Sequence, residues 1–361
     1  MKIFNCEICS QTLFFENVIC ESCSTGLGYI PEQHMLSAIE PSTCGHWSTT
    51  AKAKKKKALY KYCSNFEHGV CNWLLPKDSD SEHCIACELN RYIPNMKSEK
   101  HKEEWRQLEF AKHRLVYSLL RLKLPLSAKS EENETGLSFD FITENDEVPE
   151  DAATMTGHAA GQVTIKVEEA DPVEREQMRV DMNEPYRALI GHFRHEVGHY
   201  YWDHLIAPFP KKQKAFRKLF GDESLDYQQA LKDHYAKGEN EEWKQSHVSS
   251  YAASHPWEDW AETWAHYFHI IDALETAYTF GLSITPPKDP SGKMSMTADV
   301  DPYKHNDFED SLERCLVLSF AVNSLNRSMG QPDLYPFILT APVKEKLLFI
   351  HKTIKKAAVK K

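Results

Sequence analysis

Nine of the ten cysteines lie within the first 87 residues, and their spacing constrains this part of the chain more than any other feature. Two pairs, Cys6/Cys9 and Cys20/Cys23, each enclose two residues, and ten residues separate the pairs. A CxxC turn directs two thiolates to one point, and a short connection brings four together around one tetrahedral ion. The spacing therefore predicts a zinc ribbon with a four-cysteine site.

A second set of cysteines follows and ends in another CxxC pair. Its members are Cys63, Cys71, Cys84 and Cys87. The spacing within this set is looser, but it again offers four thiolates to a single ion. We expect two structural Zn²⁺ ions in this part of the chain, and metal binding of this kind supplies folding free energy.

Two features lie between the cysteine sets. Cys44 and His46 form a CxH pair, which could provide a substitute ligand for the second site, although a spare thiol and a surface histidine are favoured. The run AKAKKKKA at residues 51–58 is interpreted as a solvated loop.

Composition and charge exclude several classes of protein. The formal charge of −10 over 361 residues argues against a general nucleic-acid coat. No apolar run approaches the roughly 20 residues of a membrane span. The amino terminus has neither the basic nor the apolar region of a signal peptide. Cysteines spaced for metal binding, without a signal peptide, predict a protein of the reducing cytoplasm.

The stretch His195-Glu196-Val197-Gly198-His199 is an HExxH motif within a helical pattern. Apolar residues recur three to four positions apart around it and predict a buried helix: Leu189, Ile190, Phe193, Val197, Tyr200 and Tyr201. Residues four apart share a helix face, so His195 and His199 can bind one ion. Glu196 is then the candidate general base for a water molecule on that ion.

Two histidines leave zinc short of one protein ligand, and a downstream helix offers it. The metzincin pattern fails, because the positions of its third histidine and its glycine are Leu205 and Trp202. Residues 250–269 instead form a tryptophan-rich helical pattern that begins near Pro256. On it, Glu258 and Glu262 lie four apart and share a face.

The roles of these acids remain open from the residues alone. Glu258 would complete a site of two histidines and one glutamate, and Glu262 would accept the outer N–H of a ligand histidine. The two roles could be reversed, and Asp259 is a third possible participant. This site would hold one catalytic Zn²⁺ ion.

The remaining patterns predict an α+β fold. Residues 97–122 are helical and precede a polar linker at 127–136, and two strands follow at 137–141 and 163–167. We predict a double zinc-ribbon-like module at 1–95, a helical connector at 96–130, and a mostly helical domain at 131–361 with a small edge sheet. A strand near the metal helix could pair with an extended peptide.

The motifs HEVGH and, downstream, EDWAE resemble those of the gluzincins. That resemblance implies that Glu258 binds zinc and that Glu262 supports a ligand histidine. Tyr251, seven residues before Glu258, resembles the transition-state donor of the lethal-factor-like branch. His255 and His266 are further candidates for that role, although packing or surface positions are favoured for both.

The whole chain resembles bacterial zinc-binding metallopeptidases with an amino-terminal zinc-ribbon domain. The resemblance is carried by stretches spread over most of the sequence: CEICSQTLFFENVICESCSTGLG, VCNWL, CIACELNRYIPN, TGHAAGQVTI, EADPVERE, EPYRALIGHFRHEVGHYYWD and HPWEDWAETWAHYFHIIDALETA. It implies a zincin-type fold for the helical domain and hydrolysis of peptide bonds, with Glu196 as general base for a zinc-activated water.

Two other functions are compatible with the cysteine-rich module. The protein could be a zinc-ribbon interaction or regulatory protein whose carboxy-terminal zinc site is not catalytic, or the module could bind nucleic acid. Glu196 argues against the first, and the absence of interleaved aromatic and basic residues argues against the second. We therefore expect a peptide or protein substrate, no membrane, and a protein partner at the ribbons as an option.

Overall fold

The computed structural model describes residues 2–42, 45–50, 58–96, 98–143, 156–181, 184, 186–237 and 241–358. Contacts divide the chain into two compact units. Unit 1 contains residues 1–121 and 126–175, and unit 2 contains residues 122–125 and 176–361. Within the described residues, no helix is long and apolar enough to span a bilayer.

The cysteine-rich part of unit 1 is built from short antiparallel strands. They are β1 (Phe4–Asn5), β2 (Thr12–Leu13), β3 (Gly26–Ile30), β4 (Met35–Pro41), β5 (Trp47–Thr49), β6 (Leu59–Tyr62) and β7 (Leu74–Pro76). Strands β3 to β7 form one sheet in sequence order, and β1 pairs with β2. The Tyr29 ring lies 4.8 Å from the rings of Phe15 and Trp73, so this part has an apolar core besides its cysteines.

The rest of unit 1 is one long helix and a second sheet. Their bounds are β8 (Asn90–Tyr92), α1 (Glu99–Arg121), β9 (Ser138–Ile142), β10 (Gly157–Ala159) and β11 (Gln162–Lys166). The strand order is β10-β11-β9-β8, with β9 parallel to both β8 and β11. The predicted helix and both predicted strands are therefore confirmed.

Strand β9 is buried on both faces. Its apolar residues Phe139 and Phe141 alternate with Ser138 and Asp140, yet all five residues are buried. The carboxylate of Asp140 is fully buried, and it accepts hydrogen bonds from Arg91 and Gln162. A strand with parallel neighbours on both sides is commonly covered on both faces, and its polar side chains then need internal partners.

The boundaries between the two compact units differ from the predicted domain boundaries. Strand β8 directly follows the second cysteine set and pairs with β9, which connects the ribbon to the sheet. The sheet therefore belongs to unit 1, whereas the sequence analysis groups it with the domain at 131–361. The domain ranges 1–95, 96–130 and 131–361 stay a prediction.

Unit 2 is mostly helical. Its elements are α2 (Pro172–Asp181), whose first turn belongs to unit 1, then α3 (Leu189–Leu205), α4 (Pro210–Phe220), α5 (Tyr227–Lys237), α6 (Pro256–Phe280), the hairpin of β12 (Ser283–Ile284) and β13 (Met296–Thr297), α7 (Phe308–Ser328) and α8 (Ala341–Ala357). Helices α3 and α8 both pack against α6. The Tyr201 ring of α3 stacks on Trp264 of α6 with a centroid separation of 4.9 Å.

The start of helix α6 follows the sequence prediction. Pro256 occupies the first turn, where its missing N–H costs no helical hydrogen bond. His255 is the N-cap, and its Nδ1 accepts from the backbone N–H of Trp257 at 3.1 Å. This cap fixes where the helix begins, and it therefore sets which α6 side chains face α3.

Candidate metal centres

Helices α3 and α6 bring His195, His199 and Glu258 together. The Nε2 atoms of the histidines are 3.2 Å apart, and Glu258 Oε2 lies 3.0 Å from His195 Nε2 and 3.5 Å from His199 Nε2. Nitrogen and oxygen ligands about 2.0–2.1 Å from a tetrahedral zinc ion lie about 3.3 Å from one another. The three donor atoms therefore fit one zinc ion.

Glu262 fixes the orientation of His195. The Nδ1–H of His195 donates to Glu262 Oε1 at 2.8 Å, so the Nε2 atom faces Glu258 and His199. The other oxygen, Oε2, accepts from Ser249 Oγ at 2.6 Å. Of the two glutamates that the sequence left open, Glu258 is the one placed at ligand distance.

Asp259, the third acid considered, has a different environment. It is fully buried, and its Oδ2 lies 2.6 Å from the Lys346 ammonium of α8. Burial raises the pKa of Asp259 to about 7, although Lys346 opposes this rise. Asp259 therefore connects α6 to α8 and is not among the residues grouped at the His195/His199 centre.

The electrostatics of the centre favour a cation. Burial alone would raise the pKa of the Glu258 carboxyl, but His199 and His195 outweigh it and hold that pKa well below its usual value. Burial also opposes protonation of His195, yet Glu258 and Glu262 keep its pKa well above the usual value. The Glu258 carboxylate is thus charged, and it faces two ring nitrogens in a site shielded from water.

Glu196 follows His195 on α3 and is also buried. Burial would raise the pKa of its carboxyl, but a hydrogen bond from His192 and the nearby His195 outweigh burial and lower it. The His192 Nε2–H donates to Glu196 Oε1 at 3.1 Å. Glu196 is therefore a carboxylate able to accept a proton. His192 lies one helical turn before it, a spacing that could have been read from the sequence.

Two tyrosines border the centre. The Tyr251 ring, in a short 3-10 turn at Tyr251–Ala253, lies 5.8 Å from the His195 ring. Tyr227, the first residue of α5, donates its hydroxyl to Glu258 Oε1 at 2.7 Å. The sequence indicated Tyr251 as a candidate site residue. It did not indicate Tyr227, because no spacing relates α5 to the HExxH motif.

The two histidines considered as alternative donors have other partners. His255 donates from Nε2 to the carbonyl oxygen of Leu225 at 3.2 Å, while its Nδ1 caps α6. His266 is buried and forms a 2.8 Å hydrogen bond with the Tyr335 hydroxyl. Burial lowers the pKa of His266 to about 4, so its ring is neutral. Both are packing residues in this structure.

The first cysteine set forms a compact cluster of four thiols. The sulfurs of Cys6 and Cys23, and those of Cys9 and Cys20, are 3.6 Å apart. Thiolates about 2.3 Å from a tetrahedral zinc ion lie about 3.8 Å from one another, so the cluster fits zinc. After each CxxC pair a serine with positive φ, Ser10 or Ser24, donates its N–H back to the first cysteine of that pair at 2.8 Å.

The second cysteine set is fully buried. Cys63, Cys71, Cys84 and Cys87 form one group with metal-ligand spacing, and the sulfurs of Cys71 and Cys84 are 3.7 Å apart. His113 of α1 also reaches this cluster, with Nε2 3.7 Å from Cys87 Sγ and 4.0 Å from Cys84 Sγ. No spacing in the sequence indicated His113, because it lies on the following helix.

The features between the two cysteine sets are only partly within the described residues. Cys44 and residues 51–57 of the lysine run lie outside them. His46 is half-buried and is not among the residues grouped around the described metal clusters. The predicted roles of this segment stay predictions.

Two four-cysteine clusters and a cluster of two histidines and one glutamate define a zinc-type metalloprotein of mixed α and β structure. The profile of the family described as "Putative zinc-binding metallo-peptidase" matches residues 101–353, and a zinc-ribbon domain profile matches residues 3–98. The first match covers more than half of the chain. The chain therefore belongs to this zinc-binding metallopeptidase family, and its amino-terminal part is a zinc-ribbon domain.

Similar proteins come from mycobacteria. An uncharacterized protein of Mycobacterium bovis is 40% identical over 358 residues, which cover 99% of this chain and 96% of that protein. Uncharacterized proteins of Mycobacterium tuberculosis strains CDC 1551 and H37Rv match with the same identity and coverage. No solved structure matches the chain significantly.

Proposed function

We propose that this protein is a zinc-dependent peptidase whose centre consists of His195, His199 and Glu258, with Glu196 as general base. The observation that carries the proposal is the meeting of three ligand atoms at 3.0–3.5 Å beside a buried, ionised glutamate. A purely structural site has no use for that glutamate. Family membership supports peptide-bond hydrolysis as the chemistry.

His195, His199 and Glu258 would hold a zinc ion, which would polarise the scissile carbonyl and lower the pKa of the attacking water to about 7. Glu196 accepts the proton of the attacking water and returns it to the leaving amine. His192, which donates to Glu196 Oε1, keeps that carboxylate oriented. The Tyr251 hydroxyl donates to the developing oxyanion; burial raises the pKa of Tyr251 well above its usual value, so the hydroxyl stays protonated.

We propose a cytoplasmic location, because all nine described cysteines are free thiols. Eight of them form the two four-cysteine clusters, and the ninth is Cys315. The two four-cysteine sites hold structural zinc in this proposal. The ribbon also exposes apolar side chains: Ile8, Phe14, Val18 and Ile19. These support a second role for the ribbon, contact with a protein partner or with the protein substrate itself.

The test compares the purified chain with Glu196→Gln. The wild type should bind three zinc ions and hydrolyse an unfolded protein substrate such as casein, with loss of activity when the metal is chelated. Glu196→Gln should keep three zinc ions and lose hydrolysis by at least about a hundredfold. Glu313→Gln, at an exposed position of α7, is the matched control and should remain active.

The outcomes separate the two functions. Unchanged hydrolysis in Glu196→Gln would refute the assigned base. A wild type that holds three zinc ions and cleaves none of a broad set of unfolded proteins and peptides would favour the ribbon interaction protein with a non-catalytic zinc site.

A further inference from the structure

The two oxygens of the Glu258 carboxylate have different partners. Oε2 faces the Nε2 atoms of His195 and His199 at 3.0 and 3.5 Å. Oε1 accepts the hydroxyl of Tyr227 at 2.7 Å. A phenol is protonated at neutral pH, so Tyr227 is the donor in this bond. Oε1 is thus hydrogen-bonded to Tyr227, and Oε2 faces the same point as the Nε2 atoms of the two histidines.

We propose that Tyr227 is a positioning residue of the metal centre, which holds Oε1 of Glu258 and so presents Oε2 alone to zinc. This inference rests on the proposed metal centre of the peptidase. A carboxylate with two free oxygens can rotate or bind zinc through both, and the second oxygen would then occupy the position that water needs. Hydrogen bonds to ligand side chains commonly set their orientation and basicity.

The position of Tyr227 is itself determined by the start of α6. His255 caps α6 with Nδ1 and, through Nε2, donates to the carbonyl oxygen of Leu225, two residues before Tyr227. The Tyr227 ring packs edge-on against His255 at 5.3 Å and against Trp257 at 5.8 Å. The first turn of α6 therefore places both Glu258 and its hydrogen-bond donor.

The rest of α5 offers little else to hold Tyr227 in place. None of the described side chains of this helix is buried. Its first turn is capped by Asp226, whose Oδ1 accepts from the backbone N–H of Gln229 at 2.9 Å. Because the helix surface is largely in solvent, contacts with His255, Trp257 and Glu258, and with the neighbouring Tyr251 hydroxyl, hold the Tyr227 ring over the site.

The test is Tyr227→Phe in the full-length chain, with zinc affinity as the readout. The substitution removes one hydroxyl and keeps the ring that packs on His255 and Trp257. We expect affinity at the His195/His199/Glu258 centre to fall about 10- to 100-fold in a chelator competition titration, as for other lost outer-sphere hydrogen bonds. The two four-cysteine sites should keep their zinc and serve as the internal reference for an intact fold.

Tyr278→Phe is the matched control, because Tyr278 has an exposed side chain and lies twenty residues after Glu258, near the end of α6. It should leave the zinc affinity within about twofold of the wild type. The cobalt-substituted centre gives a second readout: Tyr227→Phe should alter its d–d absorption bands, and Tyr278→Phe should not.

Two failures can be told apart. If the wild type binds zinc at this centre and Tyr227→Phe binds it equally well with an unchanged cobalt spectrum, the positioning role is wrong and the proposed peptidase stands. If the wild type takes up only the two ions of the cysteine clusters, the proposed centre fails, and this inference fails with it.

Discussion

The indole Nε1 of Trp260 donates a 2.8 Å hydrogen bond to the carbonyl oxygen of Gly198. Gly198 lies between the two histidines of the HEVGH stretch on α3, and Trp260 lies two residues after Glu258 on α6. At this point the helix backbones are close: a Cβ on Gly198 would lie only 3.1 Å from Ala261 Cα. The approach of the helices here brings Glu258 to His195 and His199.

Gly198→Ala should therefore lower both stability and zinc affinity. Alanine improves helix propensity by up to about 1 kcal/mol, but overpacking against backbone costs about 1–3 kcal/mol. We expect a net loss of about 1–2 kcal/mol in the free energy of unfolding, measured by urea denaturation. Gly191→Ala on the same helix is the control, because its Cβ would meet only side chains, with the His269 ring nearest at 3.4 Å. A Gly198→Ala protein as stable as Gly191→Ala would contradict the close-approach argument.

Glu262 connects the ligand His195 with the segment that leads to Tyr251, because it accepts hydrogen bonds from His195 and from Ser249. Glu262→Ala should weaken zinc binding about 10- to 100-fold, since His195 loses the partner of its Nδ1–H. Ser249→Ala removes the hydroxyl that donates to Glu262 Oε2 and accepts from the backbone N–H of Ala252 at 3.0 Å, and these two bonds hold the turn that contains Tyr251. It should lower kcat while the zinc content stays at the wild-type value.

Zinc content and kcat, measured together for Glu262→Ala and Ser249→Ala, distinguish these roles. Equal zinc loss in both variants would show that Ser249 supports the ligand histidine and not the Tyr251 segment.

His113 ties helix α1 to the second cysteine cluster, with its Nε2 3.7 Å from Cys87 Sγ. Its Nδ1–H donates to the Glu109 carbonyl oxygen at 2.6 Å, which fixes the ring. His113→Ala should speed zinc release from the second cluster about tenfold or more, as expected for a lost contact to a ligand sulfur. Release to a chromogenic chelator measures this rate.

The first cysteine cluster and a variant on the same helix provide the controls for His113. Zinc release from Cys6, Cys9, Cys20 and Cys23 should not change, and His101→Ala, near the start of α1, should release zinc at the wild-type rate. Faster release from both cysteine clusters would indicate general loosening of the ribbon and not a local contact.

His351 of α8 should make stability depend on pH. It is buried, stacks on Phe308 at 4.7 Å, and has a 3.1 Å hydrogen bond with Tyr267. Burial, followed by Lys355, lowers the pKa of His351 from 6.5 to about 4. The unfolded chain therefore binds the extra proton between these values, so stability is present above pH 6.5 and is lost as the pH falls towards 4.

Between about pH 7.5 and about pH 5 this histidine should account for about 2 kcal/mol of lost stability. In His351→Gln the free energy of unfolding should fall correspondingly less over that range. Urea denaturation of both proteins at the two pH values measures the difference, and the metal sites, which both proteins share, cancel from it. Equal pH dependence in the two proteins would contradict the lowered pKa.

Local patterns were enough to predict most elements of this fold. The 3.6-residue periodicity indicated α1, α3 and the first half of α6, because apolar residues recur at helical spacing in each of them. The CxxC spacing indicated the two cysteine clusters, because a ligand pair with two residues between its members forms a local turn. Burial of both faces of strand β9 was not predictable, since it depends on neighbours distant in the chain.

In the candidate site, too, some residues could be predicted from local patterns and others could not. His195, Glu196 and His199 were predictable because they share one helix, and Glu258 was predictable as an acid on a second apolar helix. Tyr227, His113 and Lys346 were not, because each reaches its partner from another element of the fold. Such contacts produce no periodicity and no fixed spacing that could be recognised in the sequence.

The donor atoms follow from the order of residues alone: eight thiolates in two sets, two histidines one turn apart, and acids on a later helix. They depend on spacings within one turn or one helix, which local geometry sets. That Glu258, rather than Glu262 or Asp259, meets the histidines emerged only from the folded chain. This choice depends on how α6 is rotated about its axis and how closely it approaches α3. The His255 cap and the missing side chain of Gly198 set these two quantities. Packing between segments distant in the chain cannot be read from local sequence patterns.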